Sequence, residues 1–175
     1  QRENRIDFGE IMDRGRILLV KLPQGQIGTE NAFMLGSLVM VKLQQMAMGR
    51  ARMAAKDRTP FFCYVDECQH FVTPSMAAIL SGARKYGLGL ILAHQDLHQL
   101  AANGDVAAAV MTNAYTRVVF RVSESDGRAL KGEFAHYETK DFASLARGHA
   151  ICRIERADQD FNLRVVPPDD PDEAE

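Results

Sequence analysis

Short apolar runs recur along this chain, and segments with helical periodicity separate them. Each run is four to eight residues long, the usual length of a buried β-strand. The runs are ILLVKL (17–22), FFCYVD (61–66), LGLILA (88–93) and YTRVVFRV (115–122). Strands that alternate with helices are typical of an α/β fold with a mostly parallel sheet. Two last runs, HAICRIER and FNLRVV, predict a C-terminal β-hairpin.

The longest predicted helix follows the first run. Thr29 is its expected N-cap, Glu30 lies in its first turn, and it is expected to end near Lys56. Its first half, AFMLGSLVMV, is apolar on nearly every face and is expected to be buried, whereas its second half is expected to reach solvent. Shorter helices are predicted at residues 73–86, 97–102, 106–111, 126–134 and 140–146.

Composition excludes several classes of protein. The 21 basic and 23 acidic residues give a formal charge of -2, which excludes a strongly basic nucleic-acid coat, and the 46% hydrophobic content excludes a disordered chain. The longest charge-free apolar stretch, Asn31–Val41, is too short to span a bilayer, so no membrane contact is expected. Three cysteines form no disulfide framework, which suggests a cytoplasmic protein.

The chain is predicted to have three parts. Residues 1–16 are a polar lead-in, residues 17–166 carry the α/β pattern, and residues 167–175 are an acidic, proline-rich tail expected to be disordered. Because the chain opens on Gln1 and a polar segment without a strand, we expect a piece of a longer protein.

The most specific feature is the strand FFCYV followed directly by Asp66 and Glu67. A phosphoryl-transfer site needs Mg²⁺ held by few protein oxygens and a second carboxylate that orients water. Gln95 follows the next predicted strand, so its amide would face the same crevice and could sense a γ-phosphate. Acids where a strand meets solvent, and an ordinary loop glutamine, are the alternative interpretations.

In order, the segments VDECQHF, ILSGARKYGLGLILAHQDLHQL, TNAYTRVVFRVSESDGRAL and DFASLARGHAICRI resemble the second half of HerA/FtsK-superfamily ATPases. The similarity is closest to type IV secretion coupling proteins and conjugative DNA-transfer relatives, and it covers about residues 6–166. The resemblance implies a RecA-like P-loop ATPase core. Family members work as hexameric rings on DNA, with ATP and Mg²⁺ as cofactors.

The resemblance also implies roles for individual residues. Asp66 matches the Walker B metal-binding acid, Glu67 the water-activating acid and Gln95 the sensor. Arg84 and Lys85 match a basic pair near a subunit boundary, although cations at a helix end also favour the helix dipole. Arg117 and Arg121 match basic positions that could reach a neighbouring subunit's phosphate. The alternative is that they are ordinary charges on a strand.

One family motif is absent from the 175 residues, the phosphate-binding loop G-x-x-x-x-G-K-[ST]. In the relatives this loop lies N-terminal to the matched region. We therefore expect the C-terminal half of an ATPase that lacks the phosphate-loop strand and, alone, binds no nucleotide and has little or no activity. The parent is expected to contact DNA and relaxosome or secretion proteins in the cytoplasm, where an additional segment could hold it at the inner membrane face.

Two further expectations remain. A noncatalytic module that recognises relaxosome or secretion partners is the alternative function, because the acids could persist in such a fragment. In the relatives, the phosphate-loop strand lies between the strand at 88–93 and the strand at 115–122. Unpaired strand edges are unfavourable, so we expect these two strands to pair directly.

Overall fold

The computed structural model describes residues 6–71, 82–95, 97, 100 and 104–166. The chain divides into two compact units, and the boundary lies between Asn113 and Ala114. Within the described residues, no helix is both long and apolar enough to cross a membrane.

The first unit contains four helices and a two-stranded sheet among its described residues. Its helices are α1 (Phe8–Asp13), α2 (Gln24–Ile27), α3 (Thr29–Gly49) and α4 (Gly104–Asn113), and its strands are β1 (Phe61–Val65) and β2 (Leu88–Leu92). Short 3-10 turns lie at Arg50–Arg52, Ala55–Asp57, Cys68–His70 and Ala83–Tyr86. Strands β1 and β2 are parallel, with Phe61 opposite Leu88 and Val65 opposite Leu92.

Helix α3 contributes one stripe of side chains to the core of this unit. The buried positions recur every three or four residues, as expected for one helical face, and they are Ala32, Gly36, Met40, Leu43 and Ala47. The same core contains Val65 of β1 and Leu88 of β2. The other side of the first half of α3 is exposed at Met34, Leu35 and Leu38, so the prediction that this half is buried was wrong.

The predicted ends of the long helix also need correction. Gly28, with φ of +84°, is the N-cap, and Thr29 is the first helical residue. The helix ends at Gly49 rather than near Lys56. A 3-10 turn follows it directly, and the Arg50 side chain at the start of this turn is buried. The Arg50 guanidinium bonds to the Asp13 carboxylate and to the carbonyl oxygens of Thr59 and Tyr86.

The first apolar run forms no strand, contrary to prediction. Residues 16–23 have no regular secondary structure, and the side chains of Ile17 and Leu19 are 88% and 89% exposed. A strand needs a partner that accepts and donates its backbone hydrogen bonds. Among the described residues no strand pairs with this run, because the sheet of this unit contains β1 and β2 alone.

Strand β1 is covered on one face only, whereas the sequence predicted cover on both. Phe61 and Cys63 point toward the core but are half-buried, and Val65 is buried. The alternate residues Phe62 and Tyr64 are 61% and 76% exposed. Strand side chains alternate between faces, so one uncovered face exposes every second residue.

The second unit is an antiparallel sheet with two short helices. Its elements are β3 (Thr116–Val119), α5 (Glu124–Leu130), a 3-10 turn (Lys131–Glu133), α6 (Thr139–Ala143), β4 (His149–Ile154) and β5 (Asp160–Arg164). The strand order is β3-β4-β5, which confirms the predicted C-terminal hairpin. The buried aromatic rings of Phe134 and Phe142 pack edge to face, with centroids 5.2 Å apart.

The predicted direct pairing of residues 88–93 with 115–122 is wrong, because β2 pairs with β1 and β3 pairs with β4. Strand β3 is also shorter than expected, at four residues. The predicted α/β class is confirmed by a parallel strand pair, an antiparallel hairpin sheet and intervening helices. The helix predicted at 73–86 lies mostly outside the described residues, as does that at 97–102, and the tail from 167 lies wholly outside them.

Candidate functional site

The candidate site lies at the carboxyl ends of β1 and β2. Asp66 and Glu67 follow β1 directly, and Gln95 follows β2 after two further residues. Backbone hydrogen bonds continue past both strands: the Ala93 amide donates to the Val65 carbonyl, and the Cys68 amide donates to the Ala93 carbonyl, each at 2.9 Å. These bonds hold the turn after β1 beside the end of β2, so the juxtaposition expected from the sequence is present.

Hydrogen bonds connect the three predicted residues and add a fourth. The Gln95 amide Nε2 donates to Oε1 of Glu67. On the other carboxylate oxygen, Oε2, Glu67 accepts a bond of 2.6 Å from Nε2 of Gln69. The Glu67 backbone amide donates to Oδ1 of Asp66 at 3.0 Å. Glu67 is therefore held through its backbone and through both carboxylate oxygens.

The two neighbouring carboxylates differ in exposure. Asp66 is exposed and Glu67 is half-buried. Burial, together with the negative charges of Glu67 and Asp66, raises the pKa of the adjacent Cys68 thiol to about 11. A thiolate is thus disfavoured here, and Cys68 acts as an apolar core residue rather than as a nucleophile.

Asp66 is the side chain best placed to hold a divalent cation. Within the described residues, no group of three or more His, Cys, Asp or Glu side chains could form an all-protein metal cage. Mg²⁺ at phosphate sites is bound through one or two carboxylates together with substrate oxygens and water. One exposed aspartate at a strand end therefore fits a nucleotide-bound magnesium ion better than a structural metal.

The basic pair lies at the opposite side of the same sheet, near the amino end of β2. Arg84 and Lys85 belong to the 3-10 turn that precedes β2, whereas Gln95 follows that strand. Five residues of strand separate the two edges by about 17 Å at the usual rise. Arg84 and Lys85 are both exposed, and the Lys85 ammonium lies 5.0 Å from the Tyr86 ring centroid. Within this unit, the pair does not reach the carboxylates.

The remaining two predicted residues, Arg117 and Arg121, lie in the second unit. Arg117 is 9% exposed, and its Nη1 lies 2.7 Å from Oε2 of Glu133. Arg153 lies directly opposite Arg117 in the β3-β4 pair and contacts the same Glu133 oxygen at 2.7 Å. Burial lowers the pKa of Arg117, and the Glu133 charge opposes this shift. Arg121 lies beyond β3 and is exposed.

Two features of these sites were missed by the sequence interpretation. Gln69 bonds to Glu67, and Glu133 lies between two arginines. Gln69 belongs to the segment VDECQHF, but the sequence interpretation assigned a role to neither residue. The spacing Glu67-x-Gln69 would have been the only local signal for the first contact. That signal has no meaning until the backbone conformation is known, because residues two apart share a face on a strand but not on a helix.

Comparisons with known proteins point to coupling proteins. A family model described as the TraM recognition site of TraD and TraG matches residues 60–130. Type 4 coupling protein DotL of Legionella pneumophila is 24% identical over an alignment of 159 residues, and the match covers 83% of this chain and 19% of DotL. The chain therefore spans about one fifth of the length of this relative.

Solved structures with the same fold support this similarity. The genome-packaging NTPase B204 of Sulfolobus turreted icosahedral virus 2, in complex with ATP-gammaS, matches 94% of this chain and 74% of its own at a TM-score of 0.64 and 16% identity. The plasmid coupling protein TrwB, in complex with ADP and Mg²⁺, matches 77% of this chain and 38% of its own at a TM-score of 0.61 and 13% identity. Sequence and fold together support the expected resemblance: the chain is similar in sequence to type IV coupling proteins, and it has the RecA-like fold of TrwB and B204.

Proposed function

We propose that this chain is the C-terminal part of an ATP-dependent DNA translocase, the coupling ATPase of a type IV secretion or conjugation system. The observation that carries the proposal is the hydrogen bond from Gln95 to Glu67, which joins the ends of two adjacent parallel strands. Ligands of open α/β sheets bind at this edge. A carboxylate held beside an exposed aspartate supports hydrolysis of a phosphoanhydride, because one acid can bind Mg²⁺ and the other can orient water.

Each residue has a distinct role in the proposed reaction. Asp66 would hold the magnesium ion through its exposed carboxylate. Bound Mg-ATP would supply the phosphoryl group, and the magnesium ion would neutralise the negative charge of that group. Glu67 orients the attacking water and accepts its proton. Gln95 bonds the same carboxylate, so a change at the γ-phosphate that moves Gln95 also moves Glu67.

Of the two arginines, Arg121 is the better candidate to reach a neighbouring subunit. Arg117 is already held inside the second unit by Glu133. Arg121 is exposed just beyond β3 and is free of that ion pair. In a hexameric ring, an exposed guanidinium can stabilise charge on a phosphate bound to the adjacent subunit. DNA contact would be dominated by phosphates and would weaken as salt increases.

The proposal has a direct test in two steps. The coding sequence upstream of Gln1 should encode a G-x-x-x-x-G-K-[ST] loop, and its absence would refute the ATPase function. The full-length protein should hydrolyse ATP, and Glu67→Gln should lower kcat by about 10²-fold or more, as for removal of a general base. The exposed helix residue Glu30 provides the matched control, since Glu30→Gln should leave kcat unchanged.

A second candidate function is supported by the family match at residues 60–130, which is described as a TraM recognition site. The chain would then bind a relaxosome or secretion protein without catalysis. Titration calorimetry with the corresponding protein of the same transfer system separates the two functions. Binding by the 175-residue chain that is unchanged by Glu67→Gln, together with an inactive full-length protein, would favour recognition alone.

A further inference from the structure

Gln69 lies two residues after the proposed water-activating acid and contacts it directly. Its side chain extends from the 3-10 turn Cys68–His70, and its Nε2 lies 2.6 Å from Oε2 of Glu67. Gln95 approaches Oε1 of the same carboxylate from the end of β2. Each oxygen of Glu67 therefore receives one amide hydrogen bond, and the two donors come from different elements.

The short contact fixes which end of the Gln69 amide faces Glu67. With the amide reversed, two oxygen atoms would lie 2.6 Å apart, which is repulsive, so the nitrogen must face the carboxylate. The oxygen Oε1 then points away from Glu67. It is buried, and it has no hydrogen-bond partner among the described residues. A buried acceptor costs free energy unless it is paired, and the described residues do not pair this one.

The Glu67 backbone carries a second local cost. Its φ of 50° and ψ of 46° lie in the left-handed region, where residues other than glycine are uncommon. Such conformations persist where the surrounding structure imposes them, and they cluster at functional sites. At this turn, the bonds from the Glu67 amide to Asp66 and from the Cys68 amide to Ala93 impose it. Two independent costs thus occur around one carboxylate.

We propose that Gln69 is a positioning residue that, together with Gln95, fixes the plane of the Glu67 carboxylate for water activation. The inference rests on the proposed ATPase function. One hydrogen bond leaves a carboxylate able to rotate about its last side-chain bond. Two amides on different oxygens remove that rotation, and orientation of a reacting group contributes strongly to rate.

The first test is Gln69→Met in the full-length protein, which keeps the side-chain length and removes the amide. We expect kcat for ATP hydrolysis to fall about 10- to 100-fold, with KM changed less than about twofold, because Gln69 acts on Glu67 and not on the nucleotide. The free energy of unfolding of the 175-residue chain should not fall, since the unpartnered Oε1 is also removed. The matched control is Gln45→Met at an exposed position of helix α3, which should change neither quantity.

The second test asks whether Gln69 acts through Glu67. In a Glu67→Gln background, Gln69→Met should lower kcat by no more than about twofold further, because the carboxylate that it positions is gone. A structural role would lower kcat by the same factor in both backgrounds and would overturn the inference. If Gln69→Met folds poorly, Gln69→Ala provides the same comparison.

The outcomes separate the two proposals. If the full-length protein does not hydrolyse ATP, the proposed function fails. If it hydrolyses ATP and Glu67→Gln retains full activity, the ATPase function stands, but the role of Glu67 fails and the role of Gln69 fails with it. If Glu67→Gln is inactive while Gln69→Met retains wild-type kcat, the ATPase function stands and the positioning role of Gln69 is refuted.

Discussion

The ring of Phe71 occupies the position that a β-carbon on Gly36 would take. The two nearest ring carbons, Cδ1 and Cε1, lie 2.3 Å from that ideal position, and Leu22 Cδ1 lies 3.1 Å from it. Phe71 also packs edge to face on Phe33, with centroids 6.0 Å apart. A glycine in the middle of α3 therefore permits close packing of the segment that follows Glu67 and Gln69.

Gly36→Ala should destabilise the chain although alanine favours helices. Overpacking costs about 1–3 kcal/mol, whereas the change from glycine to alanine in a helix returns about 1 kcal/mol. Because the two ring carbons lie only 2.3 Å from the added methyl group, we expect the cost to dominate, with a net loss of up to about 2 kcal/mol in the free energy of unfolding, measured by urea denaturation. Gly49→Ala in the same helix is the matched control, because no atom lies within 4 Å of its β-carbon position, and it should stabilise the chain. Equal effects at both positions would contradict the predicted clash.

The left-handed backbone at Glu67 can be measured with two variants. Glu67→Ala and Glu67→Gly both remove the carboxylate, but only glycine adopts φ of 50° without steric cost. We expect Glu67→Gly to be more stable than Glu67→Ala by about 1 kcal/mol in chemical denaturation. An alanine variant of equal or greater stability would show that the turn relaxes once the side chain is lost.

The two strand arginines should respond differently to substitution. Arg117→Met removes one of two guanidinium contacts to Glu133, and we expect a loss of about 2 kcal/mol in thermal or urea unfolding. Arg121→Met changes an exposed residue and should shift stability by no more than about 0.5 kcal/mol. In the full-length protein, Arg121→Met should nevertheless reduce ATP turnover. Normal turnover with Arg121→Met would exclude its proposed role between subunits.

The pairing of Asp160 with His136 predicts that the free energy of unfolding depends on pH. Burial would raise the pKa of Asp160, but hydrogen bonds from the His136 ring and backbone outweigh it, so the pKa lies below its ordinary value of 3.8. A carboxyl with a lowered folded pKa stabilises the fold above the unfolded value and loses this effect as pH falls through the folded value. Asp160→Asn should therefore destabilise the chain at pH 6 and have a much smaller effect at pH 3.

Urea titrations of wild type and variant at both pH values provide the measurement. Asp158→Asn, two residues earlier in the hairpin, is the control for removal of an exposed charge. A destabilisation by Asp160→Asn of the same size at pH 3 and pH 6 would show that the pair does not depend on ionisation of this carboxyl.

The order of apolar runs and of the polar residues that follow them was enough to predict the class of fold and the side of the sheet where the site forms. Apolar runs at β1 and β2 are separated by a long connection, and such strands are parallel. Parallel strands bring their carboxyl ends together, so the positions of Asp66, Glu67 and Gln95 followed from their places after these runs. The hairpin of β4 and β5 followed in the same way from two adjacent runs separated by a short turn.

Only the tertiary structure decided which residues are covered and how the carboxylate is held. Residues 17–22 have the composition of a strand but pair with no strand in the part of the chain that the structure describes. Arg50 is a charged residue of a type usually found at the surface, yet it is buried and its guanidinium is hydrogen-bonded. The left-handed turn at Glu67 depends on bonds to β2, which is more than 20 residues away, and that turn brings Gln69 back onto the acid. The spacing of apolar residues reflects the local preference of the chain for helix or strand, whereas these contacts depend on which groups distant in sequence come together in the fold.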